Sequence, residues 1–279
     1  MSVRIVTDST CDLPQDVVDE YGITVVPLYI NFGDQGYLDG VEISRQEFYQ
    51  RLPDSDPLPT TATPGVDAFR QTYERLASEG VSEILSIHVS ISLSATIEVA
   101  RTAAEQTLTV PVTVFDSQQL SLGTGFQVLA AAKAAAQGMP VDEIISSLED
   151  QISRTYVIAA LDTLEFLKRS GRMNTAVARL GSVLKIKPIL IMHSGEAVAE
   201  RVRTRERAIE RVIRFVGELG DLERIALVHT NAPDEAQALY RRAKHLFPKD
   251  EKPLSVDVTP VLGTNIGPGV VGFAFIITK

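Results

Sequence analysis

Short apolar runs alternate with helical patterns through the first half of the chain. Strand-like runs occur at Val3–Val6, Ile84–His88 and Val112–Phe115, and a helical pattern at Ser94–Gln106 lies between two of them. Strands that alternate with helices are typical of a parallel sheet covered by helices on both faces. The pattern therefore predicts an α/β N-terminal domain, with a parallel sheet flanked by helices, over residues 1–160.

The second half of the chain has a mixed order of elements. After a strand at Tyr156–Leu161, the runs Ile189–Met192 and Ala197–Arg201 predict a hairpin that turns at Ser194. The predicted order then continues as helix, strand, helix, strand and strand, at Glu206–Leu219, Ile225–His229, Glu235–Phe247, Val256–Val261 and Val270–Ile277. Because regular alternation is lost, this order favours an α+β C-terminal domain with a mixed sheet, over residues 161–279.

Local signals predict several element boundaries. Ser44 and the glutamate three residues later form a capping-box pattern. Thr63 followed by Pro64 predicts a helix with threonine at its N-cap and proline at its first position. Ile23–Ile30 is predicted to be one strand. The run 262–269, with three glycines and one proline, predicts a loop with a constrained backbone path.

Composition and charge exclude several classes of protein. The chain has 279 residues and a net charge of -9, and its basic residues are spread out. Nucleic-acid binding is therefore not expected, because phosphate backbones require a concentrated positive surface. No apolar stretch approaches the length of a transmembrane segment. The start of the sequence lacks a signal peptide's apolar region, and one cysteine excludes an internal disulfide, so we expect a cytoplasmic protein.

Polar side chains follow two of the predicted strands at their carboxyl ends. Asp8 and Ser9 follow the first strand, and Asp116 and Ser117 follow the strand that ends near Phe115. Ligands of open parallel sheets bind beyond the carboxyl ends of the strands. Short polar residues at such positions also close turns. Both interpretations remain open from the local pattern alone.

Two loops rich in hydroxyl groups precede predicted helices. One contains Thr61 and the other contains Ser94. Helix N-termini offer free N–H groups and the positive end of a dipole, which favour an anion. The alternative is simple N-capping. His229 closes an apolar strand and is predicted to be structural or ligand-facing, because the histidines of the chain lack metal-ligand spacing.

Taken together, these segments resemble the DegV family of fatty-acid-binding proteins. The resemblance runs in family order from residue 7 to residue 269. The matching pieces are Thr7-Asp8-Ser9-Thr10-Cys11-Asp12-Leu13-Pro14, Thr61-x-x-Pro64 to Phe69, Leu93-Ser94-Ala95-Thr96, Asp116-Ser117 with Gly123-x-Gly125, Leu164-x-x-Leu167-x-x-Ser170-Gly171-Arg172, Lys187-Pro188-Ile189 and Gly267-Pro268-Gly269.

The resemblance implies a lipid-binding protein rather than an enzyme. Members hold a long-chain fatty acid in a closed apolar tunnel between two domains. Several present it to a separate ATP-dependent fatty acid kinase, which makes acyl phosphate for phospholipid metabolism. The ligand is then the fatty acid itself, and no cofactor or metal is implied.

The resemblance also assigns roles to individual residues. It implies that Thr61 and Ser94 bond the fatty-acid carboxylate, with Asn265 at a position where the family often has a histidine. Asn can donate a hydrogen bond there but carries no charge. Arg203 matches a basic position near the ligand head group, and Arg172 would belong to the surface that docks the kinase.

Two alternatives stay open at this point. One is an enzyme that acts on a small phosphorylated or acidic metabolite at the carboxyl ends of the strands, with Asp8, Ser9 and Asp116 as its working residues. The other is a regulatory sensor, in which bound lipid alters partner binding without phosphorylation.

Overall fold

The computed structural model describes residues 3–171, 186–248 and 253–279. Within these residues the strands, in chain order, are β1 (Val3–Asp8), β2 (Thr24–Val26), β3 (Tyr29–Phe32), β4 (Gln35–Leu38), β5 (Thr60–Ala62), β6 (Glu83–His88), β7 (Val112–Asp116), β8 (Thr155–Ala160), β9 (Lys187–His193), β10 (Glu196–Val202), β11 (Leu222–His229), β12 (Ser255–Asp257) and β13 (Val271–Ile277). The α-helices are α1 (Gln15–Glu20), α2 (Arg45–Arg51), α3 (Val66–Ser78), α4 (Thr96–Gln106), α5 (Leu122–Ala136), α6 (Val141–Ile152), α7 (Glu165–Ser170), α8 (Arg205–Glu218), α9 (Pro233–Ala243) and α10 (Pro260–Ile266). None of the described helices combines the length and the apolar composition that crossing a bilayer requires.

The first sheet is parallel and is covered on both faces, as the alternating pattern predicts. Its strands lie in the order β2, β1, β6, β7. Ile5 and Leu85 point into a core that includes α5 and α6, whereas their neighbours Val6 and Ile84 pack with residues of α3 and α4. Consecutive buried residues of this kind are expected in a parallel strand, because both of its faces are covered.

The second sheet has six strands and mixed directions, which confirms the predicted α+β pattern. Its order is β10, β9, β8, β13, β11, β12, with the last pair parallel and the others antiparallel. The predicted hairpin is confirmed as β9 and β10. Strand β8 belongs to this sheet, so sheet membership changes before residue 155. The division of the chain into domains at residue 160 stays a prediction.

Helix α5 lies between the two sheets. Its residues Leu122, Phe126 and Leu129 share one core with Val157 and Val228 of the second sheet. Residues Leu122–Leu129 are all buried, including the polar Thr124 and Gln127, whereas the last turn of the helix reaches solvent at Lys133 and Ala136. A Cβ atom at Gly125 would collide with the backbone carbonyl of Cys11, so this glycine permits close approach of α5 to the loop after β1.

A third, smaller sheet has the strand order β4, β3, β5, and two predictions in this region are wrong. Ile23–Ile30 is not one strand: β2 and β3 belong to different sheets, and Pro27 between them lacks the N–H that a continuous ladder needs. Thr63 is not an N-cap, because α3 begins at Val66 with Gly65 at its N-cap position. Thr61 instead lies in β5, which pairs with β3, and Pro64 favours an extended Thr63.

The prediction of a loop over residues 262–269 is also largely wrong. Residues 260–266 form α10, with Thr259 at the N-cap and Pro260 at the first position. The preceding strand is correspondingly shorter than the predicted Val256–Val261. Gly267 follows the helix at a φ of 78°, and a Cβ atom there would collide with the Phe166 ring. The sequence pattern therefore located the turn at 267–269 but missed the helix before it.

A chain of hydrogen bonds runs through the interior of the first sheet. The hydroxyl of Tyr73 is 2.9 Å from Ser86 Oγ, which is 2.7 Å from His88 Nε2, and His88 Nδ1 is 3.0 Å from Asp8 Oδ2. Asp8 also accepts from the N–H of Thr10 and of Val89. Burial alone would raise the pKa of Asp8, but hydrogen bonding from His88 and its other donors lowers it below the usual value.

Asp8 is therefore expected to stabilise the fold through its ionised form. We predict that Asp8→Asn lowers the free energy of unfolding by about 3 kcal/mol near pH 7, because buried donors lose a charged acceptor. A folded pKa below the unfolded one gives stability that is lost as the pH falls through the folded value. Urea unfolding should thus show the difference from wild type shrinking as the pH falls below about 3.9, the ordinary pKa of an aspartate.

The control for this measurement is Asp34→Asn, at an exposed aspartate in the turn between β3 and β4. It should change the free energy of unfolding by less than about 0.5 kcal/mol. An Asp8→Asn protein as stable as the control at neutral pH would contradict the structural role of this carboxylate.

Candidate functional site

A largely apolar cavity lies between the two sheets, at the N-terminal end of α5. Its volume is about 320 Å³, within the range of small-molecule sites. Among the described residues that line it, none is charged. Six carry polar side chains, and these are Thr10, Thr61, Thr63, Ser94, Ser121 and Asn265. The remaining lining residues are Leu28, Ala62, Val89, Leu93, Ala95, Leu120, Val157, Ala159, Leu161, Leu167, Leu190, Ile191, Met192, Val228, Val258, Val261, Leu262, Ile266 and Val270.

The position of α5 accounts for this space. From Leu122 onward the helix fills the gap between the sheets, and its own residues do not line the cavity. Leu120 and Ser121, just before the helix, do line it. The floor is the face of the second sheet that carries Val157, Ala159 and Leu190. The cavity therefore lies where the two sheets continue beyond the start of the helix that separates them.

The structure brings together the three residues predicted to bond a carboxylate. Thr61 comes from β5 of the third sheet, Ser94 from the loop between β6 and α4, and Asn265 from α10. All three line the one cavity and are partly buried. Residues far apart in sequence thus provide neutral polar groups at a single site. Their bonding to a carboxylate remains a prediction.

Ser94 lies at the N-terminal end of α4. Its Oγ accepts a hydrogen bond from the N–H of Thr96 at 3.2 Å and is 2.8 Å from the Thr96 hydroxyl. The Ser94 hydroxyl thus closes a turn just before α4, whose N-cap position is Ala95 without a side-chain cap, and Ser94 also lines the cavity. With Ala95 also on the cavity wall, the positive end of the α4 dipole faces the site. This arrangement suits an anionic group without requiring a charged side chain.

Asn265 has part of its hydrogen-bonding capacity already in use. Its Nδ2 donates to the carbonyl of Val261, one turn earlier in α10, at 2.8 Å. One amide proton and the Oδ1 atom remain available for other partners. The side chain is thus held against its own helix, with a single N–H left to offer to an acceptor in the cavity.

The residues predicted to be near the ligand at the strand ends do not line this cavity. Asp8 is fully buried in the hydrogen-bonded chain described above, and Ser9 Oγ accepts from the N–H of Leu28 at 3.2 Å. Asp116 accepts from the N–H of Gln118 at 2.9 Å, and Ser117 Oγ is 2.9 Å from the Thr124 hydroxyl. At these positions the turn-forming interpretation of the sequence describes the contacts that the residues make.

The remaining predicted residues lie elsewhere. Arg203 is exposed, at the turn between β10 and α8. His229 is buried at the end of β11, with Nδ1 3.5 Å from Asp257 Oδ1, and it is not among the residues that line the cavity. Arg172 lies outside the described residues.

Sequence patterns gave no indication of a buried polar cluster beside the cavity. Asp12 is buried and pairs with Arg45, whose Nη2 lies 3.1 Å from Asp12 Oδ1. Asp39 accepts a hydrogen bond from the Thr259 hydroxyl. The partners are separated by up to 247 positions, as for Asp12 and Thr259. No local pattern could have revealed the cluster, although Asp12 lies within the most specific family segment.

Two arrangements with the outward form of catalytic groups are sealed in the interior. Ser86, His88 and Asp8 have the hydrogen-bond order of a catalytic triad, but each is wholly buried and none lines the cavity. Burial raises the pKa of the Cys11 thiol to about 12, so it is held as a thiol rather than a reactive thiolate. Both groups are therefore part of the packed interior.

Comparison with known proteins gives one family. A model of the DegV family, described as "Uncharacterised protein, DegV family", matches residues 2–278. A DegV domain-containing protein of Streptomyces coelicolor is 38% identical over 273 residues, covering 97% of this chain and 96% of the relative.

Solved structures extend the comparison to the fold. A DegV family protein from Thermus thermophilus, described for its fatty acid binding, is 34% identical, with a TM-score of 0.90 and full coverage of both chains. DegV from Bacillus subtilis, described as a fatty acid binding protein, is 29% identical, with a TM-score of 0.89 and full coverage of both chains. The α/β architecture of the present chain is therefore that of these structures.

Proposed function

The chain belongs to the DegV family, and on that premise we propose that it binds a long-chain fatty acid in the cavity between its two sheets. The observation that carries the proposal is the chemistry of the cavity wall. It is apolar apart from a few neutral polar groups, and Thr61, Ser94 and Asn265 are among them. A fatty acid matches this wall, with a long hydrocarbon part and one anionic end. The function is that of a lipid-binding protein in the cytoplasm, not of an enzyme.

The balance of interactions fits such a ligand. A sixteen-carbon acid has about fifteen carbons beyond its carboxyl group, and burial at about 0.8 kcal/mol per CH₂ would provide about 12 kcal/mol before opposing terms. A single hydroxyl hydrogen bond contributes about 1 kcal/mol. Hydrocarbon burial therefore sets the affinity, and the polar groups set the orientation. Neutral donors suffice for that task, which is consistent with the lack of charge among the lining residues that the structure describes.

The alternative of an enzyme acting at the strand ends has less support. It requires Asp8, Ser9 and Asp116 to face a polar cleft, yet the first of these is fully buried and all three hold backbone N–H groups. A phosphorylated metabolite also requires positive charge, which is lacking among the described residues of the cavity wall. The fatty-acid proposal uses the cavity as it is.

The test of this function is direct. We expect protein purified under native conditions to carry close to one long-chain fatty acid per chain, because a buried acyl chain dissociates slowly. Mass spectrometry of an organic extract, calibrated with an internal standard, measures the ratio. Preparations that contain no fatty acid, and that take up none when it is added, would exclude the proposal.

A second prediction concerns the carboxylate grip. The double variant Thr61→Ala, Ser94→Ala should fold normally and release fatty acid about ten to a hundred times faster, because two hydrogen bonds to a charged group are lost. Transfer of a fluorescent fatty acid to lipid vesicles measures the rate. The matched control is Ser146→Ala, at an exposed serine of α6, which should behave as wild type. Unchanged release from the double variant would remove the proposed grip.

We further propose that the bound fatty acid is presented to a separate ATP-dependent kinase, which forms the acyl phosphate used in phospholipid metabolism. This part rests on the resemblance of the Gly171-Arg172 segment to the family and on the neutral grip, which provides no group for phosphoryl transfer. Arg172 would then serve the docking of the kinase.

The division of roles predicts a separable defect. Arg172→Ala should keep its bound fatty acid and lower the rate of acyl phosphate formation by a purified kinase about tenfold, because docking loses a charged contact. The control is Arg241→Ala, on the exposed face of α9, which should support the wild-type rate. If Arg172→Ala empties the cavity, the assignment of this residue to docking is wrong.

A further inference from the structure

One buried carboxylate joins three elements that surround the cavity. Asp12 is 1% exposed. Its Oδ2 accepts a hydrogen bond from Ser121 Oγ at 2.6 Å, and its Oδ1 accepts from the N–H of Thr259 at 2.8 Å. The guanidinium of Arg45 lies 3.1 Å away. Ser121, Thr259 and Arg45 lie at the starts of α5, α10 and α2 respectively. A single side chain therefore links the starts of three helices.

Each of these donors is coupled to the cavity wall. Ser121 lines the cavity and has φ 51° and ψ -142°, a backbone conformation that a non-glycine residue holds only when its surroundings enforce it. Thr259 is the N-cap of α10, which provides four of the lining residues. Those four are Val261, Leu262, Asn265 and Ile266.

Arg45 adds a second link across the molecule. Its guanidinium donates to the backbone carbonyl of Asp257, in β12, as well as pairing with Asp12. Tyr49, one turn later in α2, donates to the carbonyl of Val258 at 3.0 Å, and Val258 lines the cavity. The wall is thus fixed from behind by polar contacts, while its inner surface remains largely apolar.

We propose that Asp12 is a positioning residue of the ligand site: its ionised carboxylate holds Ser121, α10 and α2 in the closed arrangement, and its protonation loosens the wall and speeds release of the fatty acid. The inference rests on the proposed function and adds proton-coupled release to it. Asp12 does not line the cavity and acts through the residues that it orients.

The electrostatic surroundings are consistent with titration in a useful range. Burial raises the pKa of Asp12 to about 6, although Arg45, Ser121 and Thr259 act to lower it. The same burial raises the pKa of Asp39, which faces the same cation. The titratable and charged groups of this cluster come from β1 and the loop after it, from the loop after β4, from α2 and from β12. Cys11, Asp39, Arg45, Tyr49 and Asp257 interact with Asp12 or its cation, and Asp8 interacts with Cys11 and Asp39.

Because the pKa of Asp12 is raised in the folded chain, faster release of fatty acid at low pH can be distinguished from acid unfolding. The folded chain binds the proton on Asp12 more tightly than an unfolded chain does, whose aspartates titrate near about 3.9. Acidification from about pH 7 to about pH 5 therefore makes this group favour the folded state. Faster release within that window is not explained by acid unfolding through Asp12.

The experiment measures transfer of a fluorescent long-chain fatty acid from loaded protein to phosphatidylcholine vesicles between about pH 5 and pH 8. Coupling of this kind is typically five- to 150-fold, so we expect wild-type release to speed up about tenfold as the pH falls, with a midpoint near Asp12's pKa. Asp12→Asn should release about ten times faster than wild type at about pH 7 and should lack this transition. Titration of the fatty acid itself is common to both proteins and cancels in the comparison.

Two further measurements test the proposal even if the Asp12→Asn protein folds poorly. Ser121→Ala removes one of the donors to Asp12 and should, like Asp12→Asn, speed the release of fatty acid at about pH 7. In wild-type protein, ¹³C NMR should show a lower pKa for Asp12 with fatty acid bound than without it, because linkage between proton and ligand is reciprocal. Asp142→Asn, at an exposed position of α6, is the matched control and should retain the wild-type profile.

The outcomes distinguish this inference from the function on which it rests. A wild-type protein that holds fatty acid, with an Asp12→Asn profile identical to its own, overturns the positioning role and leaves fatty-acid binding intact. Equal Asp12 pKa values in the loaded and empty protein do the same. A wild-type protein that takes up no fatty acid overturns both.

Discussion

Residues Leu122–Leu129 of helix α5 are all buried, and the arrangement of the molecule depends on covering them. The two large sheets contribute to this cover, whereas the last turn of the helix reaches solvent at Lys133 and Ala136. A helix between sheets keeps them apart by its own diameter, about 10 Å. Where the helix begins, that separation persists without a helix to fill it. The cavity is therefore a consequence of packing, and Gly125 sets how closely α5 approaches the loop that carries Asp12.

Charge is distributed so that the described part of the cavity wall stays neutral. Asp8 is compensated by donors from its own sheet, and Asp12 by Arg45 and the starts of two helices. Both carboxylates lie behind the wall rather than on it. Burying an uncompensated charge costs several kcal/mol, so each needs its own set of donors. A ligand with one anionic end then meets hydroxyls, an amide and a helix dipole, none of which demands a counter-charge when the site is empty.

The sequence predicted what depends on local pattern. The strands of the first sheet, the hairpin of the second and the capping box at Ser44 follow from spacing within a few residues, and Ser44 Oγ does accept from the N–H of Glu47. The prediction of a single strand over Ile23–Ile30 failed because the sheet that a strand joins is decided by distant partners. The helix over residues 260–266 was missed because three glycines nearby obscured it. The assignment of Thr61, Ser94 and Asn265 to one site came from the resemblance to the family, since nothing in the local sequence indicates that they share a cavity.

A carrier faces a conflict that hydrocarbon burial alone does not resolve. Each methylene adds to affinity, so a wall that encloses the whole acyl chain also retains it, and apolar contacts give no signal for release. Hydrogen bonds differ, because they are directional and several can be lost together when one shared acceptor changes its charge. A carboxylate behind the wall that serves Ser121, Thr259 and Arg45 at once has this property. Coupling worth only a few kcal/mol changes a release rate more than a hundredfold, while the much larger energy of hydrocarbon burial stays the same. We therefore expect affinity and release to be controlled by different residues: the apolar lining for the first, and the polar cluster behind it for the second.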